Sequence, residues 1–269
     1  MNLMDQKFAE LRAAGRTALI PFLTVGDPDL DTTVDLIVQM EAAGADVLEL
    51  GVPYSDPLAD GPVIQRASER ALTNSSVTVG ACIDVAVQAR QRGVKIPFVL
   101  FTYFNPVLQI GLETFFQQLA EHEISGLIIP DLPIEESEEV LALADAAGIS
   151  LVPLVAPTSN ERITRILSNA RGFIYCVSSL GVTGERSSFH EGVEQFIHEV
   201  KSRTDLPVAV GFGISSREQV ERFSAICDGV VVGSAIVRTI EETIPLLADS
   251  ENRDKGLLQI RDFVAQLKV

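Results

Sequence analysis

Short apolar runs alternate with segments of helical spacing along this chain, and the alternation repeats eight times. The runs fall at residues 18–23, 47–50, 97–101, 126–130, 149–153, 173–177, 207–211 and 228–233. Between them, residues 31–43, 63–92, 112–122, 136–147, 160–169, 191–203 and 216–225 carry apolar positions at helical intervals or end on helix-stopping glycines. Strands of about five residues, each followed by a helix, are what a closed parallel sheet requires. An open doubly wound sheet also alternates in this way, but nothing in it demands a count of eight. The pattern therefore predicts an α/β protein, a single (β/α)8 TIM barrel. An extra N-terminal helix through Leu3, Phe8 and Leu11 and an extra C-terminal helix complete it.

At 269 residues the chain has a length that such a barrel fills as one domain, 1–269, and no Ser/Gly tract or charge run marks a linker. A net charge of −16 argues against nucleic acid and against anionic membrane surfaces as partners. Cys82, Cys176 and Cys227 are scattered and odd in number, which suits a reducing compartment better than a disulfide framework. With no apolar signal core at the N-terminus and no run of membrane-spanning length, a cytoplasmic protein is expected.

In a barrel of this kind chemistry sits at the C-terminal ends of the strands, so strand position becomes location. Glu49, Asp60, Asp131, Tyr175, Thr183, Gly213 and Ser234 fall on that rim; His122, His198 and Cys227 do not. Period-two alternation puts Val47 and Glu49 on one face of their strand. If both faces are covered, Glu49 is a buried acid whose raised pKa suits proton transfer near neutrality; alternatively it caps a turn or pairs with an arginine. The loop that follows is stiffened by Pro53, Pro57 and Pro62 and delivers a second carboxylate, Asp60.

After the seventh and eighth strands come Gly211-Phe212-Gly213-Ile214-Ser215-Ser216 and Gly233-Ser234-Ala235, two glycine turns that each lead into a helix. Together they form the place where barrels bind phosphate through backbone N–H groups. Residues 178–192, with Gly181, Gly184 and Gly192, have the length of a lid but also of an ordinary surface loop; Gly184 could add an N–H to the phosphate. Phe22, Leu100, Ile128, Tyr175 and Phe212 lie at or near strand ends and could line a pocket for a flat apolar group, or serve only as barrel core. None of the five lysines ends a strand, which disfavours a Schiff base. Histidines and cysteines make no metal-ligand pattern, so the metal expectation is none. What remains is carboxylate proton transfer on a phosphorylated small molecule.

The stretch from Glu49 to Gln65, Glu-Leu-Gly-Val-Pro-Tyr-Ser-Asp-Pro-Leu-Ala-Asp-Gly-Pro-Val-Ile-Gln, resembles the signature of the tryptophan synthase alpha chain family. So do Pro21-Phe22 with Gly26-Asp27-Pro28, Asn105-Pro106, Pro130-Asp131-Leu132-Pro133, Gly181-Val182-Thr183-Gly184 and Gly211-Phe212-Gly213-Ile214-Ser215, in order along nearly the whole chain. The resemblance implies a carbon–carbon lyase that splits indole-3-glycerol phosphate into indole and glyceraldehyde 3-phosphate. By that likeness Glu49 exchanges protons with the substrate and Asp60 holds the ring N–H. Tyr175 positions Glu49, Thr183 closes against Asp60, and Gly184, Gly213, Gly233 and Ser234 hold the phosphate.

The likeness further implies a beta-chain partner in an α2β2 tetramer, with Pro53, Tyr54 and Asp56 facing it. Pyridoxal phosphate would be carried by that partner and no cofactor by this chain. Ser178-Ser179-Leu180, where the family often has a basic residue, and Glu185, where a small residue is common, depart from the pattern in the lid. A freestanding lyase that releases indole, and a barrel that only binds ligand and regulates a partner, are the alternatives.

Overall fold

A computed structural model describes residues 1–74, 76–158, 160–177, 192–211 and 213–269. Its strands are β1 (Ala18–Thr24), β2 (Leu48–Gly51), β3 (Phe98–Phe101), β4 (Gly126–Ile128), β5 (Ser150–Leu151), β6 (Leu154–Val155), β7 (Ile174–Val177), β8 (Val208–Gly211) and β9 (Gly229–Val232). They form one sheet in the order β5-β4-β3-β2-β1-β9-β8-β7-β6, and every pairing is parallel. The two ends of that order, β5 and β6, are consecutive pieces of one stretch of chain, so the sheet closes on itself. The fifth expected strand is thus interrupted at Val152-Pro153. Val152 N–H still bonds Leu127 O on one side and the Pro153 carbonyl accepts from Tyr175 N–H on the other, but Pro153 itself has no donor to give.

Helices cover the sheet: α1 (Leu3–Ala13), α2 (Leu30–Ala42), α3 (Pro62–Asn74), α4 (Val79–Gln91), α5 (Phe104–Ile110), α6 (Leu112–Glu121), α7 (Glu138–Ala147), α8 (Asn160–Ser168), α9 (Val193–Lys201), α10 (Arg217–Ser224), α11 (Ser234–Leu247) and α12 (Arg253–Leu267). Local chemistry sets several ends. Asp29, Thr78 and Ser216 cap α2, α4 and α10 by accepting backbone N–H groups of the first turn. Left-handed Gly148 stops α7. The expected segment 63–92 resolves into two helices, and α5, not foreseen, fits ahead of α6.

Burial divides into two layers. Leu19, Leu23, Leu48, Leu50 and Leu100 face outward and pack under the helices. Ile20, Phe22, Val47, Val99, Phe101, Phe173, Tyr175 and Val231 fill the barrel interior. The extra N-terminal helix α1 plugs the bottom of that interior with Met4, Phe8 and Leu11, Phe8 lying 5.4 Å from the Phe173 ring. Asn2 begins α1 with a capping box shared with Asp5, and its side-chain amide ties the helix to the Ser125 carbonyl at 2.8 Å. Lys268, just after α12, pairs with Asp46 below β2.

Candidate active site

Glu49 sits in β2, in register with Phe22 of β1 and Val99 of β3. All three point into the barrel, and Glu49 is 1% exposed. Its Oε1 has no hydrogen-bond partner among the described residues. Burial alone therefore acts on the acid and pushes it up to about 8, so the carboxyl is mostly protonated at neutral pH. Its place within β2 excludes the cap reading, and among the described residues no arginine pairs with it.

Asp60 meets it from the loop between β2 and α3. It is buried, and burial raises it to about 6 against the lowering effect of a hydrogen bond donated by Tyr103 Oη at 3.1 Å. The Asp60 carbonyl accepts from Gln65 Nε2 at 2.7 Å, fixing the turn into α3. Arg70 of α3 then binds Asp27 after β1 at 2.8 Å and Glu241 of α11 at 2.6 Å. These ion pairs set the carboxylate loop against α11.

Glu49, Asp60, Phe22, Tyr175, Gly213, Gly233 and Ser234 line one cavity, together with Ile64, Phe101 and Val231. No lysine, arginine or histidine is among its described lining residues. At about 30 Å³ the cavity is narrow, so a substrate ring enters only as lining side chains move apart. Gly233 begins α11 without any side-chain cap, and Gly213 turns with φ 97°. Gly233 thus offers no capping side chain to the first N–H groups of a 14-residue helix beside the cavity, the arrangement that suits an anion. Tyr175 lies against Gly211, where any Cβ would collide with its hydroxyl and ring.

Two of the expected placements are corrected. Leu100 does not reach the cavity. Since Glu49 pairs with Val99, the inward residues of β3 are Val99 and Phe101, and Leu100 packs outward under the helices. Phe101 takes the position expected of Leu100. Pro53 is buried, because the chain is still hydrogen-bonded to β3 at Val52; the loop offers half-buried Tyr54, exposed Asp56 and Leu58, which is 77% exposed.

Ile128 is in the interior but not among the lining residues, and Asp131 is exposed, accepting the Phe104 N–H at the start of α5 at 2.9 Å. Thr183, Gly184 and Phe212, with Leu180 and Glu185, lie outside the described residues. Sequence reading missed Tyr103; its one signal is a polar aromatic two residues beyond Phe101, at the same strand's rim.

A closed parallel barrel that buries two carboxylates away from any described cation at its C-terminal rim defines an enzyme of the acid/base class. Among the described residues no group of three or more His, Cys, Asp and Glu is placed to hold a metal ion, and no helix is long and apolar enough to cross a membrane. Residues 8–267 match the family model described as tryptophan synthase alpha chain. The chain is 51% identical over 258 residues to the tryptophan synthase alpha chain of Geobacillus sp. (strain WCH70), covering 96% of this chain and 98% of that one. It is 53% identical over 249 residues to that of Bacillus pumilus, covering 93% of each. Among solved structures, Mycobacterium tuberculosis tryptophan synthase superposes with a TM-score of 0.87 at 36% identity, covering 99% of this chain and 96% of the other. The alpha chain from Legionella pneumophila does so with 0.87 at 33%, covering 99% and 96%. The chain belongs to the tryptophan synthase alpha chain family.

Proposed function

We propose that residues 1–269 act as one lyase domain that cleaves indole-3-glycerol phosphate to indole and D-glyceraldehyde 3-phosphate. The observation that carries this reading is Glu49, a buried carboxyl without a described cation beside it that shares a cavity with Asp60. Protonated at neutral pH, Glu49 gives its proton to the indole carbon that bears the side chain. Positive charge then spreads onto the ring nitrogen, and ionised Asp60, accepting the ring N–H, stabilises it. Glu49, now a carboxylate, takes the proton of the hydroxyl next to the breaking bond. The carbon–carbon bond electrons return to the ring, the aldehyde leaves, and Glu49 is protonated again. Phe22, Phe101 and Ile64 offer apolar walls for the ring, and the uncapped start of α11 with Gly213, Gly233 and Ser234 accepts the phosphate.

Tyr175 keeps its role as the group that positions Glu49. Thr183 and Gly184 keep theirs in closing the lid and reaching the phosphate. The partner is a beta chain in an α2β2 tetramer, met by Tyr54, Asp56 and the exposed Leu58, with Leu108 of α5 (52% exposed) beside them through the Asn105–Tyr54 contact. Pyridoxal phosphate belongs to that partner, where indole joins serine. The work is placed in the cytoplasm.

Indole release from indole-3-glycerol phosphate, by the purified chain alone and with a beta chain added, tests the reading. Slow release that rises strongly on mixing is expected. Fast release indifferent to the partner would make this a freestanding lyase, and no release in either case would refute the lyase reading.

A further inference from the structure

Tyr103 follows β3 at the N-cap of α5 and is 2% exposed. Its hydroxyl accepts the Ala59 N–H at 2.9 Å and donates to Asp60 Oδ2 at 3.1 Å. A phenol has one proton to give, and the Ala59 N–H points at its oxygen, so that proton is committed to the carboxylate. The Tyr103 ring is stacked on Tyr54, centroids 5.0 Å apart and planes inclined by 26°. Tyr54 in turn accepts from Asn105 Nδ2 at 3.4 Å. One side chain thus touches both the acid in the cavity and the loop that faces outward.

We propose that Tyr103 is a positioning residue that holds Asp60 against the cavity and passes to it the position of the 53–56 loop. The proposal rests on the lyase reading of Asp60. Glu49 and Tyr175 face Asp60 across the cavity, Tyr103 stands beside it, and Asp131 acts on Tyr103 from behind. No described cation lines the cavity, so Tyr103 is the described side chain that favours the ionised form of Asp60, the form that holds a ring N–H. A partner pressing on Tyr54 would shift the stack, move the Tyr103 hydroxyl relative to Asp60, and so change the fraction of chains ready to react.

The test is the pH profile of kcat for indole release by the assembled alpha and beta chains. Tyr103→Phe should move the acid limb up by about one pH unit or more, the size expected for a lost hydrogen bond to a charged group. The loss is then about fivefold or more at pH 6 and small at pH 8. Tyr54→Ala should move the limb less, in the same direction, and have no further effect on it in the Tyr103→Phe background.

An acid limb that stays in place in Tyr103→Phe overturns the proposal. If that variant does not fold, an unmoved limb in Tyr54→Ala does so. Asp60→Asn separates the two levels. If it keeps wild-type turnover, the reading of Asp60 falls and the proposal with it. If it is inactive while the Tyr103→Phe limb is unmoved, only the role of Tyr103 falls.

Discussion

Asp46, two residues before β2, and Glu49, within it, stand three residues apart, and both are buried. Asp46, at the lower rim, accepts the Leu19 N–H at 2.9 Å, pairs with Lys268, and lies 3.6 Å from Arg16. Glu49, toward the upper rim, has among the described residues no cation beside it and an oxygen with no hydrogen-bond partner. The residue chemistry is nearly the same, but the first acid is tied to a backbone N–H and to cations while the second is left free to exchange a proton. Reactivity in this fold is a matter of which buried acid the surroundings leave unneutralised.

Glu49→Gln breaks the contrast at its reactive end. Turnover should fall by at least about a hundredfold, the low end for a positioned acid/base group, with little change in KM. Near-normal turnover in a steady-state assay of indole release would remove Glu49 from the chemistry. Asp60→Asn should be similarly damaging, since it leaves the ring N–H without an anion.

Stability should follow the same contrast with a definite sign. The folded pKa of Glu49, about 8, lies above its ordinary value of 4.5, so the folded chain binds the extra proton. This acid's contribution is neutral below about 4.5, falls as pH rises from there to about 8, and then levels off. Thermal midpoints of wild type and Glu49→Gln should therefore diverge with pH. The variant should gain about 5 °C relative to wild type between pH 5 and pH 8, corresponding to a few kcal/mol for a chain of this size. Parallel midpoints across that range would show that Glu49 is not buried as a neutral acid.

Asp46→Asn tests the other end. It keeps an acceptor for the Leu19 N–H but strands the Lys268 ammonium, so it should lower stability by about 2 kcal/mol in urea denaturation. Turnover per folded chain should stay unchanged. A turnover loss matching that of Glu49→Gln would mean that the two acids are not independent.

How much of this was legible depended on whether the signal was local. That Glu49 shares a face with Val47 followed from alternation within one strand, and the glycines of the upper rim from their place after the seventh and eighth runs; which face turns inward was left open by the strand alone. The direction of Leu100 did not follow, because the pairing of Glu49 with Val99 is a register between strands, which no single run encodes. The break at Val152-Pro153 had a visible cause, a proline inside a strand, but its consequence needed both neighbours. Helix α5 escaped because it is short and carries Pro106 in its first turn, where proline is tolerated but reads as a breaker. Tyr103 escaped because its partner, Asp60, lies 43 residues earlier in the chain.

The smallest effect concerns Tyr175, whose ring shares the cavity with Glu49 and rests against the backbone at Gly211. Tyr175→Phe keeps the ring and removes only the hydroxyl, so kcat should fall by a few-fold, well short of Glu49→Gln. Gly211→Ala instead drives a methyl into the tyrosine and must displace it or bend β8. It should therefore cost more than Tyr175→Phe, although it touches neither carboxylate. If steady-state kinetics gave the reverse order, the hydroxyl would be a direct participant and the position of the ring incidental. The observed order would then move Tyr175 from the group that shapes the room around Glu49 to a group within the proton transfer itself.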